Sequence, residues 1–348
     1  MVTRPNGFPY VAGGTLLLIL FITMLFSAGM GFMHISASAV LQTVVAHFFP
    51  TAGAELDPVT VSVIIDVRLP RIFAAVLVGG MLAVCGTVFQ AILLNPLADP
   101  YTLGVSSGAA FGASLVIVLQ VAGLSFLPKV FTVPIFAFAG SIAALLAVLA
   151  LAAGDRRLSS SSLILSGVIV AAILSAAIGF LQFLAEEQVG IIIFWLMGSL
   201  ASTSRQDILL LIPAALIGSA VCLFCGRDLN IMAAGERAAA ALGVNTVRLR
   251  WTLLITCSLM TALCVAVSGI IGFVGLVVPH LLRHVAGPDN RRLIVLSFLG
   301  GGLLLLCADT LTRAVLPAEI PIGVLTSLLG GPFFACIFKK RQQDNGRF

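Results

Sequence analysis

The sequence predicts an all-α polytopic membrane protein of about ten transmembrane helices, forming a single domain over residues 1–348. Three observations predict it. The chain is 60% hydrophobic and only 9% charged, with a mean hydropathy of +1.16, whereas a soluble domain carries about 25% charged residues. The apolar residues fall into runs of the length that crosses a bilayer, about 20 residues. The basic residues also divide unequally between alternate inter-span segments, as the positive-inside bias requires.

The first run, from about Val11 to Met33, follows a single arginine, Arg4. It is longer than the 7–15 residues of a signal-peptide core and reads as a retained span. Further runs cover residues 70–92, 103–122, 131–153, 163–184, 207–226, 293–313 and 320–338. Residues 190–201, "GIIIFWLMGSLA", are too short to cross and suggest an interfacial or re-entrant helix, with Trp195 at headgroup depth. Residues 251–282 hold 32 positions without Asp, Glu, Lys or Arg, long for one span and short for two. Gly269, Gly272 and Gly275 are the natural places to break them. Charge decides the count. Two spans there give ten in all, with both termini cytoplasmic and 14 of the 19 basic residues on the cytoplasmic side; one span leaves 8 inside against 11 outside. Ten spans is the arrangement that obeys the bias.

The same composition excludes several functions. The net charge of +5 is scattered through short loops, so no nucleic-acid surface is built. There is no G-x-x-x-x-G-K-[ST] and no Gly-Lys pair, so the chain has no P-loop of its own. His34, His47, His280 and His284 are scattered, and the 280/284 pair lacks a third ligand, so neither a metal site nor a catalytic residue is expected. The seven cysteines lie mostly in apolar runs, an odd count in places that argue against a disulfide framework. Cys222 and Cys225 form a C-x-x-C that reads as core packing. Ion-coupled transporters usually hold ionisable residues deep in their spans. Here charges sit at span ends, with Asp309 the deepest and Arg313 its neighbour at i+4. The chain lacks both an ATP motor and an evident ion relay.

Certain segments invite a role. "RLPR" places Arg68 and Arg71 at the outer mouth of a span, and Arg313 joins them outside, against the usual bias. Their bland reading is neutralisation by Asp66 and Asp309 with snorkelling to the interface. "NPLADPYTLGVSSGAAFG" has Pro96 and Pro100 stopping a helix, then Gly104, Gly108 and Gly112 at every fourth position, a pattern that lets helix backbones approach closely. "DLNIMAAGERAAAALGVNTVRLR" is the longest polar-containing cytoplasmic segment. Its Ala-rich part, Met232 to Leu242, is expected to be helical, with Gly243 as its stop. Such a helix suits an interfacial anchor or docking into a groove on a soluble partner.

With these segments in hand, the chain resembles the FecCD-type permeases of type II ABC importers, which carry iron–siderophores, haem or cobalamin. The resemblance runs from about Arg68 to Lys340. It rests on "RLPR", "NPLADPYTLGVSSGA", "GERAAAALGV", "GFVGLVVPHLLR", "LLCADTLTR" and "EIPIGVLTSLLGGPFF", in that order. It implies a multi-pass protein of the bacterial cytoplasmic membrane. It further implies two permease subunits, most simply a homodimer, two cytoplasmic ATPase subunits that bind ATP and Mg, and an extracytoplasmic binding protein, with no cofactor on this chain. It implies a coupling helix within about 229–243, marked by Ala234, Gly235, Glu236, Leu242 and Gly243. It implies docking of the binding protein at Arg68, Arg71 and Arg313. It implies a pathway along Leu163–Leu184 and Ile320–Phe338. It implies a cytoplasmic gate near "GDRRLSSSSLILSG", where one serine serves as a helix cap and Ser160, Ser161, Ser162 and Ser166 suit a wettable gate. The competing readings are a permease for another metal complex or oxyanion, an ion-coupled transporter, and a membrane scaffold without transport.

Overall fold

A computed structural model of the chain describes residues 8–31, 33, 35–48, 57–124, 129–155, 158–314 and 319–345. Those residues fold as helices joined by short turns. In chain order they are α1 Phe8–Gly29, α2 Ala37–Phe48, α3 Pro58–Ser62, then a π-helical turn Val63–Arg68 leading into α4 Leu69–Ile92. α5 Val105–Val121, α6 Lys129–Ala152, α7 Ser160–Leu184, α8 Val189–Leu196 and α9 Arg205–Phe224 follow. The chain closes with α10 Gly226–Met232, α11 Glu236–Ala241, α12 Thr246–Ser268, α13 Val274–Ala286, α14 Asn290–Ala314 and α15 Ile322–Asn345. A helix stands at each of the ten segments expected to cross. Among the described residues seven helical stretches are long and apolar enough to span a bilayer, while α5, α13 and the apolar part of α15 are shorter. Arg4, Arg156, Arg157 and Arg347, which enter the charge count, and His34 lie outside the described residues.

α4 is the central helix. In the stretch Pro58–Ile92, 89% of the most apolar window is buried, against 22% for α7 and for α9. Small residues explain how so many neighbours reach it. A Cβ at Gly79 would run into the Gly301 carbonyl of α14, and a Cβ at Gly86 into the Gly275 carbonyl of α13. Such backbone-to-backbone packing replaces the hydrophobic drive that is absent between helices in lipid. The Gly108 and Gly112 pattern does the same inside the subunit. Both positions of α5 abut α6, at the Gly140 and Phe136 carbonyls, and Ser141 of α6 donates to the Val105 carbonyl at 3.0 Å.

The apolar stretch 251–282 does break at its glycines. α12 ends at Ser268, Gly269 takes φ 66°, and α13 begins after Phe273. The Ala-rich helix expected over Met232–Leu242 forms only over Glu236–Ala241. α10 stops at Met232, and Gly235 adopts φ 105°, which breaks the ladder before α11 begins at Glu236. The stop at Gly243 is as expected. At φ 85° it lets the Gly243 N–H bond the Ala240 carbonyl and the Val244 N–H the Ala239 carbonyl, at 3.1 and 3.0 Å, the Schellman arrangement. Of the segment 190–201, residues 190–196 lie in the short helix α8 and the remainder is turn.

Candidate functional site

Three places gather the residues singled out above: a charge cluster at the Arg68 end of α4, the α10–α11 segment, and the exposed faces of α7 and α15.

At the first, the sequence suggests exposed arginines, and the structure buries them. Arg68 is 6% exposed, and Arg71 and Arg313 are each 9% exposed. Arg68 donates to the Ala28 carbonyl at 2.6 Å and to the Met33 carbonyl. Arg313 donates to the carbonyls of Met30 and Ser27, both at 2.6 Å. Arg71 donates through Nε to Asp309 Oδ1 at 2.8 Å and through Nη1 to the Glu319 carboxylate at 3.1 Å. The second Asp309 oxygen lies 3.3 Å from Arg313 Nε. Asp309 is fully buried, while the Glu319 side chain is 53% exposed. The cluster therefore ties the end of α1 to the start of α4, the end of α14 and the approach to α15. Asp309 neutralises its neighbours as the bland reading has it. Asp66 does not: it pairs with Arg205 at 2.6 Å. Neither Glu319 nor the α1 carbonyls have a signature in the sequence, because these partners lie tens to hundreds of residues away.

At the second place, α11 carries a small exposed surface. Ala233, Ala234, Arg237, Ala238 and Ala240 are exposed, with Gly243 and Leu242, the latter at 70%. Met232 and Ala239 are buried and fasten the segment to the body. Gly235 is half-buried and turns the chain. Glu236 departs from expectation. Its carboxylate does not simply face outward but pairs with Arg250 of α12, whose side chain is 1% exposed. Sequence reasoning placed Arg250 only in the charge count. Its spacing of 14 residues from Glu236, across a turn, has no periodic signature.

At the third, Ser159 caps α7 by accepting from the Ser162 N–H at 3.4 Å, and the Asp155 carboxylate accepts from the Ser159 N–H at 2.9 Å. Ser161 is exposed, Ser160 and Ser162 are half-buried, and Ser166 is buried one turn further on. Beyond them α7 shows Leu165, Val168, Ile169, Ile173, Phe180 and Phe183, and α15 shows Val324, Leu328 and Leu329. Neither α7 nor the Ile322–Cys336 part of α15 contains a charged residue.

Among the described residues no three His, Cys, Asp or Glu side chains are grouped to hold a metal ion. All seven cysteines are free, and the buried Cys222 faces Cys257 of α12, 3.7 Å away, rather than Cys225.

Comparison with known proteins agrees with this architecture. The sequence pattern of the FecCD transport family matches residues 17–340. The cobalamin import permease BtuC of Halobacterium salinarum is 41% identical, the match covering 82% of this chain and 76% of that protein. The molybdate import permease MolB of Haemophilus influenzae is 37% identical, covering 97% of each. A solved inward-facing structure of a metal-chelate type ABC transporter superposes with a TM-score of 0.82 at 34% identity, covering 96% of this chain and all of that one. A multi-pass helical body packed around α4, with matched sequence along nearly its whole length, makes this chain a member of the FecCD family of ABC importer permeases.

Proposed function

We propose that the chain is the membrane subunit of an importer for a bulky metal chelate, an iron–siderophore, haem or cobalamin. In this reading two copies sit in the bacterial cytoplasmic membrane with both termini in the cytoplasm. Two separate ATPase subunits, which bind ATP and Mg, dock on the α10–α11 segment. An extracytoplasmic binding protein delivers the chelate at the opposite end. The observation that carries the substrate class is the chemistry of α7 and α15. The exposed faces of α7 and of the Ile322–Cys336 part of α15 are mostly apolar and free of charge, which suits a large ligand with an apolar periphery. A small oxyanion passing such a surface would have to shed water without cationic partners to replace it.

The small exposed residues Ala234, Gly235, Leu242 and Gly243 support close approach of an ATPase cleft, and Glu236 supports it from behind by holding α11 to Arg250. Ser160, Ser161, Ser162 and Ser166 are the proposed wettable gate at the start of α7. Arg68, Arg71 and Arg313 remain the proposed docking cluster. All three are buried, and Arg71 is the member proposed to be reached, because its second partner, Glu319, is half exposed and would exchange with a carboxylate of the binding protein. The oxyanion alternative is kept because a molybdate permease is 37% identical over 97% of the chain. Uptake by the reconstituted transporter, offered iron–siderophore, haem, cobalamin and molybdate in turn, separates the two. ATP-dependent uptake of a chelate is expected, and uptake of molybdate alone would overturn the substrate class.

A further inference from the structure

The break between α12 and α13 is crowded by backbone from the end of α8 and the start of α15. A Cβ at Gly198, just after α8, would strike the Ile270 carbonyl, and one at Gly269 would lie 2.5 Å from the Trp195 carbonyl. A Cβ at Gly323, in the first turn of α15, would strike the Met197 and Ile270 carbonyls. The Ser199 N–H also donates to the Ser268 carbonyl at 2.8 Å. Phe273 closes the break in the left-handed region at φ 67°, a conformation that bulky residues rarely adopt, and its ring fills the space a Cβ at Gly330 of α15 would need. Residues 269–273, α8 and α15 thus form one packed unit.

A second unit lies against it. The turn between α4 and α5 is held by its own bonds: Tyr101 N–H to Asp99 Oδ1 at 2.8 Å, Thr102 Oγ1 to the same oxygen at 3.2 Å, and Asp99 N–H to Thr102 Oγ1 at 2.9 Å. α7 rests on this turn, since a Cβ at Gly167 would strike the Thr102 carbonyl. The short turn Glu186–Gln188 joins α7 to α8 along the chain, and among the described residues the side-chain hydrogen bonds between the two units come from one hydroxyl. Tyr101 Oη donates to the Ile271 carbonyl at 2.7 Å and accepts from the Ile271 N–H at 3.2 Å. Both of these backbone groups fall outside any helix ladder, and leaving buried backbone groups unpaired is costly. A single phenol satisfies both.

We infer that Tyr101 is a positioning residue for transport: it joins the α7 unit to the α8–α15 unit, so that the two pathway helices of one subunit shift together. The role of α7 and α15 as pathway helices rests on the proposed function; the joint itself does not. A bulky left-handed residue at its edge fits an element built to change conformation, since strain of this kind persists where the surrounding structure enforces it and often serves a switch.

Hydrogen exchange on the full permease–ATPase complex in lipid nanodiscs tests the joint. Tyr101→Phe is expected to speed exchange of the Ile271 amide about tenfold or more, and to loosen the segment around Gly167 with it. Phe273→Gly, which suits the backbone and removes the ring, is expected to loosen α15 around Gly330 and leave the Gly167 segment unchanged. In proteoliposomes Tyr101→Phe should raise the ATP hydrolysed per chelate transported several-fold, with the complex still assembled. Faster exchange confined to residues 270–272, or transport and ATPase rates falling in equal proportion, would overturn the inference. Wild-type α7 and α15 that stay still on nucleotide binding, seen by spin-label distances, would instead overturn the pathway assignment while the exchange result stood.

Discussion

Replacing Asp309 with asparagine removes one negative charge from the centre of the Arg68–Arg71–Arg313 cluster and almost nothing else. The carboxylate is fully buried and lies 2.8 Å from Arg71 Nε and 3.3 Å from Arg313 Nε. Two unit charges about 4 Å apart attract by about 4 kcal/mol at an effective dielectric near 20, but desolvation of the ions offsets much of that. What remains measurable is the cost of stranding buried cations, about 3–5 kcal/mol when one partner of a buried pair is removed. Both arginines keep other acceptors here, Glu319 for Arg71 and the Ser27 and Met30 carbonyls for Arg313, and the asparagine oxygen still accepts one bond. The expected loss is therefore at the low end, about 3 kcal/mol, or roughly 150-fold in the unfolding equilibrium. The assay is unfolding of the intact chain in mixed micelles by rising SDS fraction, with Leu311→Ala as an exposed control. Arg313→Gln completes a double-mutant cycle. Because the carboxylate and the guanidinium strand each other, the double variant should lose clearly less than the sum of the singles. Asp309→Asn within about 0.5 kcal/mol of wild type, or additive losses, would refute the reasoning.

Other consequences are as direct. Glu236→Ala leaves Arg250 buried without its carboxylate; α11 should loosen, and coupled uptake should fall several-fold while the double exchange Glu236→Arg with Arg250→Glu recovers part of it, both read in proteoliposomes. Leu242→Asp places a charge on the exposed α11 surface and should weaken co-purification of the ATPase at least tenfold without lowering permease stability, since Leu242 is 70% exposed. Glu319→Gln weakens the competitor for Arg71 and should speed association of the binding protein a few-fold at low salt, measured by surface plasmon resonance; an unchanged rate removes Arg71 from the docking surface. Gly108→Leu drives a side chain into the Gly140 carbonyl and should abolish accumulation of folded permease, seen as loss of the monodisperse peak in detergent.

The spans were legible because hydropathy and basic-residue bias act locally along the chain. The break near Gly269 was legible for a similar reason: an apolar run too long for one helix and dotted with glycine must turn somewhere. The close packing of α5 on α6 was legible in the four-residue glycine spacing. The helix across Met232–Leu242 was misread because alanine propensity speaks for each residue alone, whereas Gly235 at φ 105° leaves the helical region and ends the ladder there. The outer arginines were misread for a different reason. A charge at a helix end reads as exposed, and nothing near Arg71 in sequence announces Asp309, 238 residues away. Glu236 with Arg250 and Tyr101 with Ile271 have no sequence signature at all. Each is a contact made by tertiary packing, and the second uses a backbone group that every residue carries.

The most direct test of the central claim is uptake by purified components. The permease is reconstituted in proteoliposomes with its ATPase subunits and binding protein, and labelled chelate is counted inside with and without ATP, and with and without an imposed proton or sodium gradient. The expected result is chelate accumulation that requires ATP and the ATPase subunits and ignores the gradients. Accumulation driven by a gradient in the permease alone would contradict it.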